Sequence, residues 1–163
     1  MCYALSLLGR PGGTSSYFRL TTRPIDQALA SVPGDPQERE VRRRQVLAGG
    51  YRLRAAASAP ALTLVGVGAV MPEVLAAADE LERAGIESEV VCLTSPDLVF
   101  RALHARQGLA EGDDAILEEL FAADRVAPIV TVLDGHPRTL SFLSAVRCAP
   151  NRIPRCHRLR PVR

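Results

Sequence analysis

Three stretches of the chain are predominantly apolar. Residues 61–66 (Ala-Leu-Thr-Leu-Val-Gly) and 88–93 (Ser-Glu-Val-Val-Cys-Leu) lack the alternation of a half-solvated strand and read as strands buried on both faces. Residues 128–133 (Pro-Ile-Val-Thr-Val-Leu) read the same way. The segments between them change period. Val74, Leu75, Ala78 and Leu81 recur at helical spacing among Asp79, Glu80, Glu82 and Arg83, with Pro72 suited to the first turn and Gly85 to the stop. A second helix starts at Ser95 as N-cap with Pro96 first inside, and Leu98, Phe100 to Ala102, Leu103 and Ala105 are expected to pack it on the sheet. Asp114 is expected to cap a short helix from Ala115 to Phe121, and a last helix runs from Arg138 to Val146.

Apolar strands separated by amphipathic helices give βαβ crossovers. The fold class expected is therefore α/β, three-layered, with a mostly parallel sheet in which the three buried strands are neighbours. Tyr51-Arg52-Leu53 reads as a short edge strand. Upstream, the apolar residues 1–8 look like the end of a helix, Arg10-Pro11-Gly12-Gly13 like a turn, and residues 15–22 like a strand. Residues 25–44 read as a connector in which Val32-Pro33-Gly34-Asp35-Pro36 excludes regular structure. Its charged run, 39–44, reads as the solvated face of a charged exposed helix, with an arginine site for anions as the alternative. The last stretch, 148–163, has proline at 150, 154 and 161 and no hydrophobic period, and is expected to be a disordered basic tail.

Charge sharpens that division. The 163 residues carry a net +2, and every one of the 20 basic residues is arginine. Six arginines and no acid follow Val146, whereas residues 1–146 hold 14 arginines against 18 acids, a net of −4. Without lysine there is no Schiff-base chemistry and no P-loop. No tryptophan and 4% aromatics argue against a base-stacking nucleic-acid surface, so no specific nucleic-acid partner is expected. No apolar run approaches the ~18 residues of a membrane span, and the scattered cysteines 2, 92, 148 and 156 suit a reducing compartment. A cytoplasmic location with no membrane partner is expected.

Candidate chemistry is sparse. Gly66-Val67-Gly68 follows a strand and precedes a helix, as a dinucleotide fingerprint would, but Met71 stands where a small residue belongs and no acid ends the next strand. Gly66 and Gly68 are thus weak cofactor-binding candidates against a plain tight turn. Asp134-Gly135-His136 sits at a strand's carboxyl end, where doubly wound folds bind ligands. His136 and Asp134 are weak catalytic candidates against an ordinary helix-start loop, since no nucleophile or second carboxylate is linked to them. Cys148 and Cys156-His157 match no zinc spacing, so no metal site is expected.

Taken in order, these segments resemble the carboxyl-terminal part of the homodimeric-type decarboxylating component of pyruvate dehydrogenase, a relative of transketolase. Residues 15–24 (Ser-Ser-Tyr-Phe-Arg-Leu-Thr-Thr-Arg-Pro) resemble the last strand of that family's pyrimidine-binding domain. Residues 47–53 (Leu-Ala-Gly-Gly-Tyr-Arg-Leu) resemble the entry to its third domain. Residues 62–74 and 89–95 resemble that domain's first βα unit and following strand. The resemblance covers residues 3–146 and implies a remnant of the pyrimidine-binding domain over 1–24, a linker over 25–48, a transketolase C-terminal-like α/β domain over 49–147 and the basic tail over 148–163. It also implies an oxidoreductase parent that decarboxylates a 2-oxo acid with thiamine diphosphate and magnesium.

The chain departs from that family in its cofactor residues. No Gly-Asp-Gly stretch followed by asparagine is present, and the nearest, Gly112-Asp113-Asp114, lies between helices. The expectation is a catalytically inactive fragment, or a standalone third domain, that has no cofactor of its own and partners the missing enzyme domains or a second copy. Its basic end suggests a truncated gene product read in a shifted frame. The alternative is a non-enzymatic module that docks on a partner subunit.

Overall fold

A computed structural model of the chain describes residues 2–13, 15, 17, 18, 21–123, 125 and 127–146. Its centre is a four-stranded sheet ordered β1-β3-β2-β4, with β1 Gly50–Arg54, β2 Leu62–Val67, β3 Ser88–Leu93 and β4 Ile129–Leu133. β2 pairs in parallel with β3 on one side and β4 on the other, and β1 lies antiparallel on β3. The three strands expected from the apolar runs are therefore parallel neighbours, and the α/β class stands. β1 is the edge strand that residues 51–53 suggested.

Helices cover both faces. α3 (Met71–Arg83) packs Met71, Val74, Leu75 and Ala78 on Leu64 and Val90. α4 (Pro96–Arg106) and α5 (Ala115–Leu120) lie on the other face, where Val99, Ala102, Leu103, Ile116, Leu117 and Leu120 enclose Val65, Val91 and Leu93. Alternate residues of one strand thus feed two cores, as the strand period of two requires. Gly85, at φ +75, ends α3 as expected.

Several local expectations need correction. β4 is not buried on both faces: it is the sheet's last strand, and Val130 is 45% exposed. On α4 the buried positions are 99, 102 and 103. Phe100 is exposed and sits instead against the His104 ring at 4.1 Å and edge-on to Phe142 at 5.4 Å. Ser95 is the N-cap position of α4, but its hydroxyl donates to Asp97 rather than accepting a backbone N–H. The first turn of α5 is held by Asp113, whose carboxylate accepts from the Ala115 N–H, while Asp114 pairs with Arg106 at 2.7 Å. The last helix, Pro137–Ala145, is a 3₁₀ helix. Its buried residues Leu140, Leu143 and Val146 recur every three positions, which is the 3₁₀ repeat and not the α repeat.

Upstream, α1 (Cys2–Ser6) occupies the apolar start and a turn follows at Arg10–Gly13, closed by a Gly13 N–H to Arg10 carbonyl bond. The described members of residues 15–22 carry no strand; Ser16, Arg19 and Leu20 of that segment lie outside the described residues. Pro36 is not a breaker. It opens α2 (Pro36–Ala48), where Asp35 accepts from the N–H groups of Gln37 and Glu38. The arginine run 39–44 therefore lies on a helix. The basic tail, with Cys148, Cys156 and His157, lies outside the described residues. Among the described residues, no helix is long and apolar enough to cross a membrane.

The α2–β1 junction carries a pH dependence. Arg42 lies over the Tyr51 ring at 4.2 Å, and Tyr51 is buried against Cys92. Burial, with the Cys92 thiol beside it, pushes the Tyr51 hydroxyl from its ordinary 10.0 up to about 12, and burial raises the Cys92 thiol as well. The folded state thus holds protons that the unfolded chain releases. Stability is fully present below the unfolded values and falls as pH rises through them toward the folded ones. Tyr51 alone is expected to remove roughly 2–3 kcal/mol between pH 10 and 12. Urea unfolding across that range, with Tyr51→Phe flattening the decline, checks it.

Candidate functional site

In parallel sheets, ligands bind beyond the carboxyl ends of the strands, where neighbouring strands send their loops to opposite faces. Here that point lies between β2 and β4. Val67 and Leu133 are register partners at the ends of these strands. β2 then turns through Gly68 into α3 on one face, and β4 turns through Asp134 and Gly135 into the 3₁₀ helix on the other. The carboxyl end of β3 is closed instead. The Gly49 carbonyl accepts from the N–H groups of both Thr94 and Ser95 at 2.9 and 3.0 Å, and the Thr94 hydroxyl donates to the Val46 carbonyl. The four candidates named from the sequence, Gly66, Gly68, Asp134 and His136, therefore all lie at or beside the carboxyl ends of β2 and β4.

Their local geometry decides what they can do. Gly66 is in β2, and a Cβ built there falls on the Met71 sulfur and lies 3.0 Å from a Val74 methyl. The missing side chain admits the protein's own helix, so the space a pyrophosphate needs in a glycine fingerprint is filled by Met71. Gly68 has φ +70 and open space beside it, a turn requirement and no cradle. The His136 imidazole accepts at Nδ1 from the Arg138 N–H at 3.2 Å and caps the 3₁₀ helix. That bond ties the ring to the start of its own helix. Asp134 and Gly135 are exposed beside it.

The carboxylates of the Gly112-Asp113-Asp114 stretch are engaged too, Asp113 by Ala115 and Asp114 by Arg106. Among the described residues, no three His, Cys, Asp or Glu side chains gather as a metal site would need.

One buried polar group escaped the sequence reading. Glu89 is 1% exposed, at the amino end of β3 and so at the opposite end of the sheet from the candidate residues. It accepts from its register partner Thr63 at 2.8 Å. Its other oxygen faces Arg52 Nε at 3.2 Å and Arg125 Nη1 at 3.7 Å. Arg52 also donates to the Glu119 carbonyl near the end of α5. The set ties the edge strand, α5 and the segment after α5 to the central strands. The available signal was an acid opening an otherwise apolar strand.

Against models of protein families, residues 49–146 match the transketolase-like TK C-terminal domain. A search of the curated proteins returns no match.

Proposed function

The chain belongs to the transketolase-like TK C-terminal domain family, and from that premise we propose that it is the third, non-catalytic domain of a thiamine-diphosphate-dependent enzyme. The parent activity we assign is that of the homodimeric-type decarboxylating component of pyruvate dehydrogenase, on the likeness of residues 15–24, 47–53, 62–74 and 89–95. In this reading the domain partners the domains that hold the cofactor and supplies none of the cofactor's ligands.

The observation that supports the reading is the packing at the carboxyl ends of β2 and β4. The family fold presents its carboxyl edge there, yet Met71 fills the space over Gly66 and His136 is committed to a helix cap. A bare helix end offers only about 0.3–1 kcal/mol per charge at an exposed site, too little to offset desolvation of a diphosphate.

Titration calorimetry of the chain with thiamine diphosphate and magnesium is expected to show no specific binding, and pyruvate no decarboxylation. Upstream cofactor-binding domains supplied in trans should co-elute with the chain on size exclusion. Micromolar cofactor binding by the chain alone overturns the proposal and returns Gly66, Gly68, Asp134 and His136 to the list of ligands.

A further inference from the structure

The end of α2 meets the start of α4 at Gly49, where a Cβ would touch Val99 and Leu98. Farther from that contact a groove of about 560 Å³ opens between the two helices, with α5 and the loop leading into it as the remaining wall. Its size lies within the range of small-molecule sites. The buried Ala102 and Ile116 make part of the wall apolar.

Two guanidiniums and three carboxylates also line it, those of Arg44, Arg101, Glu111, Asp113 and Glu119. The guanidiniums are spare. Glu40 stands four residues before Arg44, the spacing of a helical ion pair, but both its oxygens accept from Arg43, at 2.9 and 3.0 Å. Asp97 stands four before Arg101, but it accepts from the Ser95 hydroxyl at 2.6 Å. Among the described residues neither Arg44 nor Arg101 joins an ion pair, whereas Arg52, Arg54 and Arg106 all do. Two of the acids are held only by neutral donors, Asp113 by the Ala115 N–H at 2.9 Å and Glu119 by the Gln45 amide at 2.7 Å. Glu111 joins no ion pair among the described residues. Charge of both signs is left uncompensated in one groove.

That mixture selects the ligand. A simple anion would meet three carboxylates, and a simple cation two guanidiniums. An uncharged apolar body would desolvate both sets without pairing either. A molecule with one carboxylate and one ammonium on an apolar frame answers all three features. The guanidinium fork suits its carboxylate, the free acid its ammonium, and Ala102 and Ile116 its frame. We infer that the groove between α2 and α4 binds a short apolar peptide as its zwitterion, with Arg44 and Arg101 as the carboxylate site and Glu111 as the ammonium site. The inference is independent of the cofactor reading above, and its test contains no cofactor.

Calorimetric titration of the full chain with leucyl-leucine, its N-acetyl form and its C-terminal amide tests it. The free dipeptide is expected to bind tightest. Each capped form should bind at least about tenfold more weakly, since each loses one charge-assisted contact. Arg101→Gln should weaken the free dipeptide about tenfold and leave the amide unchanged. Glu111→Gln should weaken the free dipeptide and leave the N-acetyl form unchanged. Both residues are exposed, so both variants keep the core. No saturable binding of any of the three peptides at millimolar concentration overturns the inference. So does an N-acetyl form that binds as tightly as the free dipeptide, which marks an anion site, or an amide that does so, which marks a cation site. Binding that neither substitution alters places the peptide elsewhere and overturns it equally.

Discussion

Glu89→Ala is expected to lower the unfolding free energy by about 3 kcal/mol, the low end of the 3–5 kcal/mol typical of stripping one partner from a buried ion pair. The low end applies because the two guanidiniums keep some solvent: the side chains of Arg52 and Arg125 are 23% and 35% exposed. What they lose is the carboxylate that holds them against the sheet, and Thr63 loses its acceptor at a fully buried position. Glu89→Gln retains the shape and an oxygen toward Thr63 and should cost less. Since a domain's whole stability is about 5–15 kcal/mol, the alanine variant should unfold at visibly lower urea. An alanine variant within about 0.5 kcal/mol of the parent, the range of ordinary surface changes, would show that the cluster carries no stability.

Gly49→Ala should be comparably damaging, by about 2–5 kcal/mol, because two costs of about 1–2 and 1–3 kcal/mol combine. The first is conformational: Gly49 sits at φ +127, which side-chain-bearing residues rarely adopt. The second is space. A Cβ there meets a Val99 methyl at 2.9 Å, the Ser95 carbonyl oxygen at 3.1 Å and Leu98 Cβ at 3.2 Å. Gly49 cannot retreat, because its carbonyl holds the N–H groups of Thr94 and Ser95. Gly85→Ala is the control, since Gly85 has φ +75 but open space around it. Denaturant unfolding should show Gly49→Ala losing clearly more than Gly85→Ala; equal losses would sink the packing half of the argument.

The sheet was legible because its central strands are buried on both faces, and burial of that kind leaves an unbroken apolar run. The same rule failed for β4. An edge strand of identical composition is indistinguishable from a central one until its neighbours are known, and Val130 is exposed although nothing in residues 128–133 says so. Helix boundaries followed capping chemistry where it was local, as at Gly85. Where two acids compete the position held but the bond did not: Asp114 is the N-cap residue of α5, yet Arg106 claims its carboxylate and Asp113 accepts the first-turn N–H. α2 was legible only as the exposed-helix reading of 39–44; its start at Asp35-Pro36 was missed, since the solvated arginines carry no apolar period to extend it. At the candidate site, the convergence of Gly66, Gly68, Asp134 and His136 follows from strand order. What the sequence could not give was occupancy of the space, because Met71 over Gly66 and the imidazole on the Arg138 N–H are facts of packing. Glu89 was hidden for the opposite reason: its partners Arg52 and Arg125 are distant in sequence and meet only through the fold.

The register of β1 against β3 shifts between Arg52 and Arg54. Arg52 stands opposite Val91 and reaches Glu89 on one face, while Arg54 stands opposite Val90 and reaches Asp79 of α3 on the other. Residues two apart in a regular strand share a face, so the irregularity is what sends the two arginines to opposite layers. Such an edge, kinked and charged on both faces, is a poor template for another strand. The sheet is thus guarded at its β1 border. Edge-to-edge growth into a fibre would need β1 to lose its two arginines and regain an even register.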